Sequence, residues 1–272
     1  MKQIIIPILN LELNINQVAF KLCGVPVYWY AILIVFALSL AIFMYYKNDG
    51  KFGIYFDDIV DLSLILIPIS FICARIYYII FHLEYYTTFE KIISIKDGGL
   101  AIYGGIIGGA ITAYIFCKKR KISFLDLIDY IIPYLALGQA IGRWGNFINV
   151  EAYGRETNLP WKMGIREDIG ITYVHPTFLY ESMADFIIFL ILIKMSKNRK
   201  HSGQITFWYL ILYSFIRFFI EGLRTDSLMI GNFRISQIIS VLIFVGTILV
   251  GFYSNLSKKR KKQDNIPNNP YK

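Results

Sequence analysis

The chain has 272 residues, of which 56% are hydrophobic and only 17% charged, with a mean hydropathy of +0.51. A soluble globular domain carries about 25% charged and 45–50% apolar residues, so that class is excluded and an all-α, polytopic membrane protein is expected. The net charge of +9 does not call for nucleic acid, because the basic blocks 118–121, 194–200 and 258–262 stand between apolar runs or at the tail, where cations set membrane topology and meet anionic lipid heads.

Taken in chain order, the first twenty or so residues alternate weakly around Leu11-Glu12-Leu13-Asn14-Ile15-Asn16 and read as an amphipathic or surface arm, too broken to span a bilayer. They do not read as a signal peptide: Glu12 follows the apolar start and no small-residue cleavage site stands after it. Apolar blocks about 20 residues long, the length a hydrocarbon core about 30 Å thick demands of a helix, then predict seven spans at 25–46, 59–81, 98–117, 124–141, 176–195, 204–220 and 235–254. They form one membrane-embedded domain, 1–257. The basic tail, 258–272, is expected to be disordered and cytoplasmic. The cation surplus lies in loops 47–51, 118–121 and 194–201 and in the tail, whereas 82–97, 143–175 and 221–234 are neutral to slightly acidic. By the positive-inside rule the N-terminus is therefore expected outside and the C-terminus in the cytoplasm.

That orientation carries the polar cluster that follows directly on the apolar run from Leu125 to Ile141, Gly142-Arg143-Trp144-Gly145-Asn146-Phe147-Ile148-Asn149-Val150-Glu151-Ala152-Tyr153-Gly154, to the outer face. Ionisable groups at a bilayer are costly and usually face a cavity, a partner or a substrate. Arg143 and Asn146 are three apart, so a continued helical turn puts them on one face. Glu151 can pair with or orient an arginine, and Gly142, Gly145 and Gly154 allow close backbone approach. A snorkelling arginine at a helix end would explain Arg143, but not the amides, glycines and glutamate beside it.

A second cluster, Tyr213, Arg217, Glu221 and Arg224, is spaced 4, 4 and 3 along the sixth span, which lays it on one helical stripe. A structural Arg217–Glu221 pair is the plainer account; two arginines converging from different spans suit a phosphate, whose oxygens match the guanidinium fork. The third span holds Gly104, Gly105, Gly108 and Gly109, an ordinary close-packing pattern, with Tyr103 just inside the outer boundary. Tyr103 and Tyr30 also fit an aromatic belt. His175-Pro176, followed by Tyr180 and Glu181, reads as a helix start. Cys23, Cys73 and Cys117 make no CxxC pair and read as packing residues, and no zinc-ligand cluster, HExxH, GxSxG or phosphate-binding glycine loop is present in the sequence.

The run from Gly142 to Gly154 resembles the GRxGNFxNxExxG signature of the prolipoprotein diacylglyceryl transferases. The resemblance extends over nearly the whole chain, through Tyr28-Trp29-Tyr30, the glycine-rich third span, His175-Pro176-Thr177-Phe178-Leu179-Tyr180-Glu181 and Arg217-Phe218-Phe219-Ile220-Glu221-Gly222-Leu223-Arg224. It implies transfer, at the outer leaflet of the bacterial plasma membrane, of the diacylglyceryl group of phosphatidylglycerol to the lipobox cysteine thiol of a preprolipoprotein. Glycerol 1-phosphate is released, and no metal or organic cofactor takes part. It implies that Arg143 binds phosphatidylglycerol, that Arg217, Asn146, Glu151, Gly154 and Tyr30 matter for activity, and that Glu221 and Arg224 support them. Many members carry histidine where this chain has Tyr103. A tyrosine, with a reference pKa near 10, is a poor base, so Tyr103 is left to hydrogen-bond phosphate or orient substrate. The expected mechanism has Arg143 and Arg217 grip the phosphate while Glu221 and Glu151 hold the arginines. The rival readings are a transporter or channel binding an anionic solute at its intramembrane arginines, which would call for an inverted repeat, and a lipid-binding scaffold without chemistry.

Overall fold

The computed structural model describes residues 2–86, 88–94, 98–167 and 170–264. Among the described residues, seven helices of 19 residues or more dominate: α1 (Trp29–Lys47), α2 (Phe56–Ile80), α4 (Ile102–Arg120), α5 (Phe124–Asn149), α6 (Thr177–Lys197), α7 (Gln204–Leu223) and α8 (Ile235–Asp264), with a five-residue helix α3 (Phe89–Ile93) between the second and third. Each long helix coincides with one of the seven apolar blocks. Five segments, Trp29–Lys47, Lys51–Ile80, Phe124–Asn149, Gln204–Leu223 and Ile235–Tyr253, are long and apolar enough to cross a membrane. Helices α4 and α6 are less apolar: α4 carries four glycines and ends in Lys118-Lys119-Arg120, and α6 holds Glu181, Asp185 and Lys194. The usual distribution of residues is inverted, with Leu249, Val250 and Leu64 exposed while Asp185, Glu181 and Glu221 are buried. This suits a hydrocarbon solvent, in which helices satisfy their own backbone and send polar side chains inward. The helix of α8 runs into the basic tail as far as Asp264; residues 265–272 lie outside the described residues.

The amino-terminal arm and the segments before α6 and α8 differ from an all-α expectation, because they form strands. A four-stranded antiparallel sheet has the order β2-β1-β5-β6, from β1 (Lys2–Ile6), β2 (Leu11–Ile15), β5 (Met163–Glu167) and β6 (Gly170–Val174). β1 is central, pairing Ile4 with Leu13 on one side and with Ile165 on the other. The strands β3 (Val18–Leu22) and β4 (Val25–Tyr28) form a hairpin leading into α1, and β7 (Met229–Ile230) and β8 (Phe233–Arg234) one leading into α8. A lone Ile-rich strand shows no amphipathic contrast of its own; pairing with β5 gives Ile4 a buried face, where it packs with Val150, Met163, Ile165, Val174 and Phe178. The sheet thus sits on the end of α5 and the start of α6, and Gln17 ties the arm to the same place by donating to the Asn149 carbonyl at 3.1 Å.

The chain divides into two compact units, residues 1–42 with 131–272, and residues 43–130, the division falling within α1 and α5. In the second unit α4 lies against α2, and its glycines make the close approach possible. A Cβ on Gly104 would stand 2.4 Å from the Cys73 carbonyl oxygen, and one on Gly108 2.5 Å from the Cys73 side chain. Arg75 of α2, 8% exposed, donates to the carbonyls of Lys91, Ile92, Ser94, Gly98 and Gly99 at 2.7–3.0 Å and thereby binds the loop that precedes α4.

Two adjacent glycines should behave in opposite ways. At Gly105 an added Cβ would meet only ordinary contacts, 3.5 and 3.7 Å away. Gly104→Ala should lower the thermal midpoint of the purified protein, overpacking costing about 1–3 kcal/mol, whereas Gly105→Ala should leave it unchanged or raise it slightly, since alanine suits a helix better. Equal behaviour of the two in a thermal melt would contradict the packing.

Candidate active site

The polar motif after the fourth apolar block is helical. Helix α5 continues beyond residue 141, where the sequence expectation ended the span, through Asn149, so Arg143 and Asn146 share a face and Arg143 Nη1 donates to Asn146 Oδ1 at 3.3 Å. Gly145 allows Tyr30 to lie flat on this turn: a Cβ there would stand 2.1 Å from the Tyr30 ring. On another side Trp144 Nε1 donates to Ser182 Oγ at 3.1 Å, and Ser182 in turn to the Ala140 carbonyl at 2.8 Å, while Trp144 and Phe147 pack edge-on and tilted against Phe178. These contacts fasten α5 to the first turns of α6.

Their result is that Arg143 faces Glu181. Arg143 Nη2 donates to Glu181 Oε1, and Arg217 Nη1, from α7, donates to the same oxygen at 2.7 Å. Arg217 Nη2 is also at ion-pair distance, 2.6 Å, from Glu221 Oε2 one turn along, though not aligned as a hydrogen bond. The carboxylates are 3% and 2% exposed and the two arginine side chains 20% and 16%. The acids are thus sealed behind the guanidiniums, which keep some exposure and have more N–H donors than the acids use.

Glu151, expected to hold an arginine directly, acts at one remove. It accepts from Asn146 Nδ2 at 2.8 Å and from Asn149 Nδ2 at 3.2 Å, so it orients the amide that accepts from Arg143. It stands past the end of α5 between Val150 (φ 53°) and Ala152 (φ 57°), both left-handed. For a β-branched residue that conformation is strained, by roughly 1–3 kcal/mol; burial of Val150 in the core beneath the sheet holds it there. Gly154 is the crossing point of three segments. Its N–H donates to the His175 carbonyl at 3.0 Å, Arg155 donates to the Leu223 carbonyl at 2.8 Å, and a Cβ on Gly154 would be 2.7 Å from that of His175 and 3.1 Å from the Leu223 oxygen. The glycine thus lets the exits of α5 and α7 meet the start of α6, the three helices that bear the ionic cluster.

The stripe expected on α7 ends before Arg224, which caps the helix with extended backbone and forks onto Asp226 at 2.9 and 2.8 Å. Tyr213 stacks on Tyr209, whose hydroxyl donates to Gln139 Oε1 at 2.9 Å. Tyr103 opens α4 in the second unit and is exposed. Among the described residues no group of three His, Cys, Asp or Glu side chains could hold a metal.

Two residues of the cluster go beyond the sequence reading. Glu181, there part of a helix start, is the anion shared by both arginines. Asp185, one turn further on α6, is fully buried with neither carboxylate oxygen hydrogen-bonded among the described residues. The signal for both was present: two acids four apart inside an apolar block.

Residues 17–253 match the family model described as prolipoprotein diacylglyceryl transferase. The chain belongs to the prolipoprotein diacylglyceryl transferase family. It is similar to the phosphatidylglycerol–prolipoprotein diacylglyceryl transferases of Finegoldia magna, 48% identical over 91% of this chain and 97% of that protein, and of Clostridioides difficile, 49% identical over 90% and 97%. The transferase of Clostridium novyi is 43% identical over 90% of this chain and 98% of its own. The compared regions include every residue of the ionic cluster and of the Gly154 crossing.

At that crossing, burial draws the pKa of His175 below its ordinary value of 6.5, helped by the charge of Arg155. A folded state that binds the proton more weakly than the unfolded chain is stabilised fully above the ordinary value and loses that contribution as pH falls through it. Thermal melts from pH 8 to 5 should show an acid-side loss below about pH 6.5 that shrinks in His175→Gln; an identical profile in the variant would exclude this residue as its source.

Proposed function

We infer that the chain transfers the diacylglyceryl group of phosphatidylglycerol to the lipobox cysteine thiol of preprolipoproteins, releasing glycerol 1-phosphate, the first step of bacterial lipoprotein maturation. The observation that carries this reading is the convergence of Arg143 and Arg217, from two helices, on one buried carboxylate. Two partly exposed guanidinium forks set into a largely apolar helix bundle suit the phosphate of a lipid, which can bring its acyl chains into the bilayer while its charge meets the arginines.

In this reading the arginines exchange Glu181 for the lipid's phosphate. Attack of the thiol on the glyceryl carbon breaks the carbon–oxygen bond and leaves a phosphate monoester, whose growing charge fixed cations in a water-poor site stabilise. The same cations favour thiolate, the nucleophilic form of cysteine. Asn146 and Glu151 set the angle of Arg143, and Glu221 that of Arg217. Tyr30 and Gly154 hold the surrounding helices. The acyl chains and the apolar signal segment reach the site sideways between helices.

We place all seven long helices across the bacterial plasma membrane, the sheet and the arginine pair towards the outer leaflet and the basic tail in the cytoplasm. The alternation of cation-rich and cation-poor loops supports that orientation, and burial of Glu181 against two arginines supports the crossing of α6 despite its lower apolarity.

Incubation of the purified protein with phosphatidylglycerol and a lipobox peptide should add one diacylglyceryl mass to the peptide. Arg143→Ala should slow this by on the order of 10²–10³, and near wild-type transfer by that variant would remove Arg143 from the site. For topology, a periplasm-dependent phosphatase inserted after Asn158 should be active in cells and one fused after Lys262 inactive. The reverse pattern would invert the orientation.

A further inference from the structure

The mechanism above needs a group to take the thiol proton, and the ionic cluster offers one. Glu181 and Glu221 are neutralised by Arg143 and Arg217, two acids to two cations. Arg224, the next cation after α7, is engaged by Asp226. Asp185 adds a third carboxyl beside the cluster, four residues from Glu181 on the same helix and, among the described residues, without a hydrogen bond on either oxygen. A phosphodiester monoanion bound to the arginines therefore leaves the cluster with more anionic groups than cations. An uncompensated charge in a medium of low dielectric is costly, and a bound proton relieves it.

We propose that Glu181 is the acceptor of the thiol proton and that phosphate binding frees it for that role. Before the lipid arrives, Glu181 Oε1 accepts from both guanidiniums and shields them. When the phosphate takes over those N–H groups, the carboxylate keeps its burial but loses its partners, so its oxygen is available only in the loaded site. The thiol's S–H proton then passes to Glu181 and the sulfur electron pair forms the bond to the glyceryl carbon. The carbon–oxygen bond breaks with its pair on the phosphate. The departing phosphate monoester takes the proton from Glu181, and the carboxylate returns to the two arginines. No outside acid, base or oxidant is required, and Glu181 is not free to act as a base until the lipid is bound.

The inference rests on the transferase reading, and one set of assays tests both. With a cysteine lipobox peptide and phosphatidylglycerol, wild-type protein should transfer; no transfer at all would sink the transferase reading itself. Glu181→Gln retains a carbonyl oxygen for the arginines but cannot take a proton, so kcat with the cysteine peptide should fall by about 10²–10⁴ while KM for the lipid stays level or drops. A peptide carrying selenocysteine, whose selenol is already ionised at neutral pH, should bring the variant back to within about tenfold of wild type, because the lost step is proton removal. It should not rescue Arg143→Ala. Should the glutamine variant not purify, Glu181→Asp, which keeps a displaced carboxylate, carries the same comparison through its selenocysteine-to-cysteine rate ratio, expected to exceed that of wild type. Equal loss with both peptides in whichever variant is assayed would make Glu181 a purely structural anchor and overturn the proposal, as would unimpaired cysteine transfer by Glu181→Gln.

Discussion

The pair of hydrogen bonds that Glu181 accepts from the two arginines is the constraint around which one end of the first unit is arranged. Arg143 is delivered by α5, Arg217 by α7 and the acid by α6, so the interaction exists only if three helix ends are held in register. The supporting contacts serve that register in different chemical terms. Indole and hydroxyl bonds fasten α5 to α6, and backbone bonds at Gly154 draw the exits of α5 and α7 together. An apolar core beneath the sheet keeps Val150 in a conformation it would not otherwise adopt. Burial gives the ion pairs their strength of purpose: removing one partner would strand a charge, a far larger cost than the pair itself contributes.

The helices were legible because a bilayer imposes a length and a composition that no tertiary contact needs to reveal. The end of α5 was less so. Its last turns carry the glycines and polar groups that ordinarily mark a helix end, and what keeps them helical is the Tyr30 ring on Gly145 and the Trp144–Ser182 bond, both supplied from elsewhere in the chain. The strands escaped for a related reason. Ile4 and Ile5 gain their burial from partners about as far away as residues 163–167, and a five-residue run carries little pattern by itself.

In the site, the spacing of Arg143 and Asn146 and that of Arg217 and Glu221 could be read locally, since three and four residues fix a helical neighbour. The Arg143–Glu181 pairing could not, because it depends on which helix stands beside which. Glu151 shows the limit from the other direction: an acid eight residues from an arginine invites a direct pair, but the left-handed residues on either side of it turn it towards the two asparagines, and its hold on Arg143 passes through an amide.

The central place of β1 in the sheet has a consequence for the order of assembly. Its pairing with β2 can form at once, but its other edge waits for β5, whose Arg166 reaches Gln3 across a sequence separation of 163 residues. At a synthesis rate of about 5–20 residues per second that wait is roughly ten to thirty seconds. During it the helices α1, α2, α4 and α5 are all made, and an Ile-rich strand stands with one edge unpaired. Closure of this sheet therefore waits until four of the seven long helices have been made, and the apolar core beneath it is complete only once Phe178 of α6 has followed.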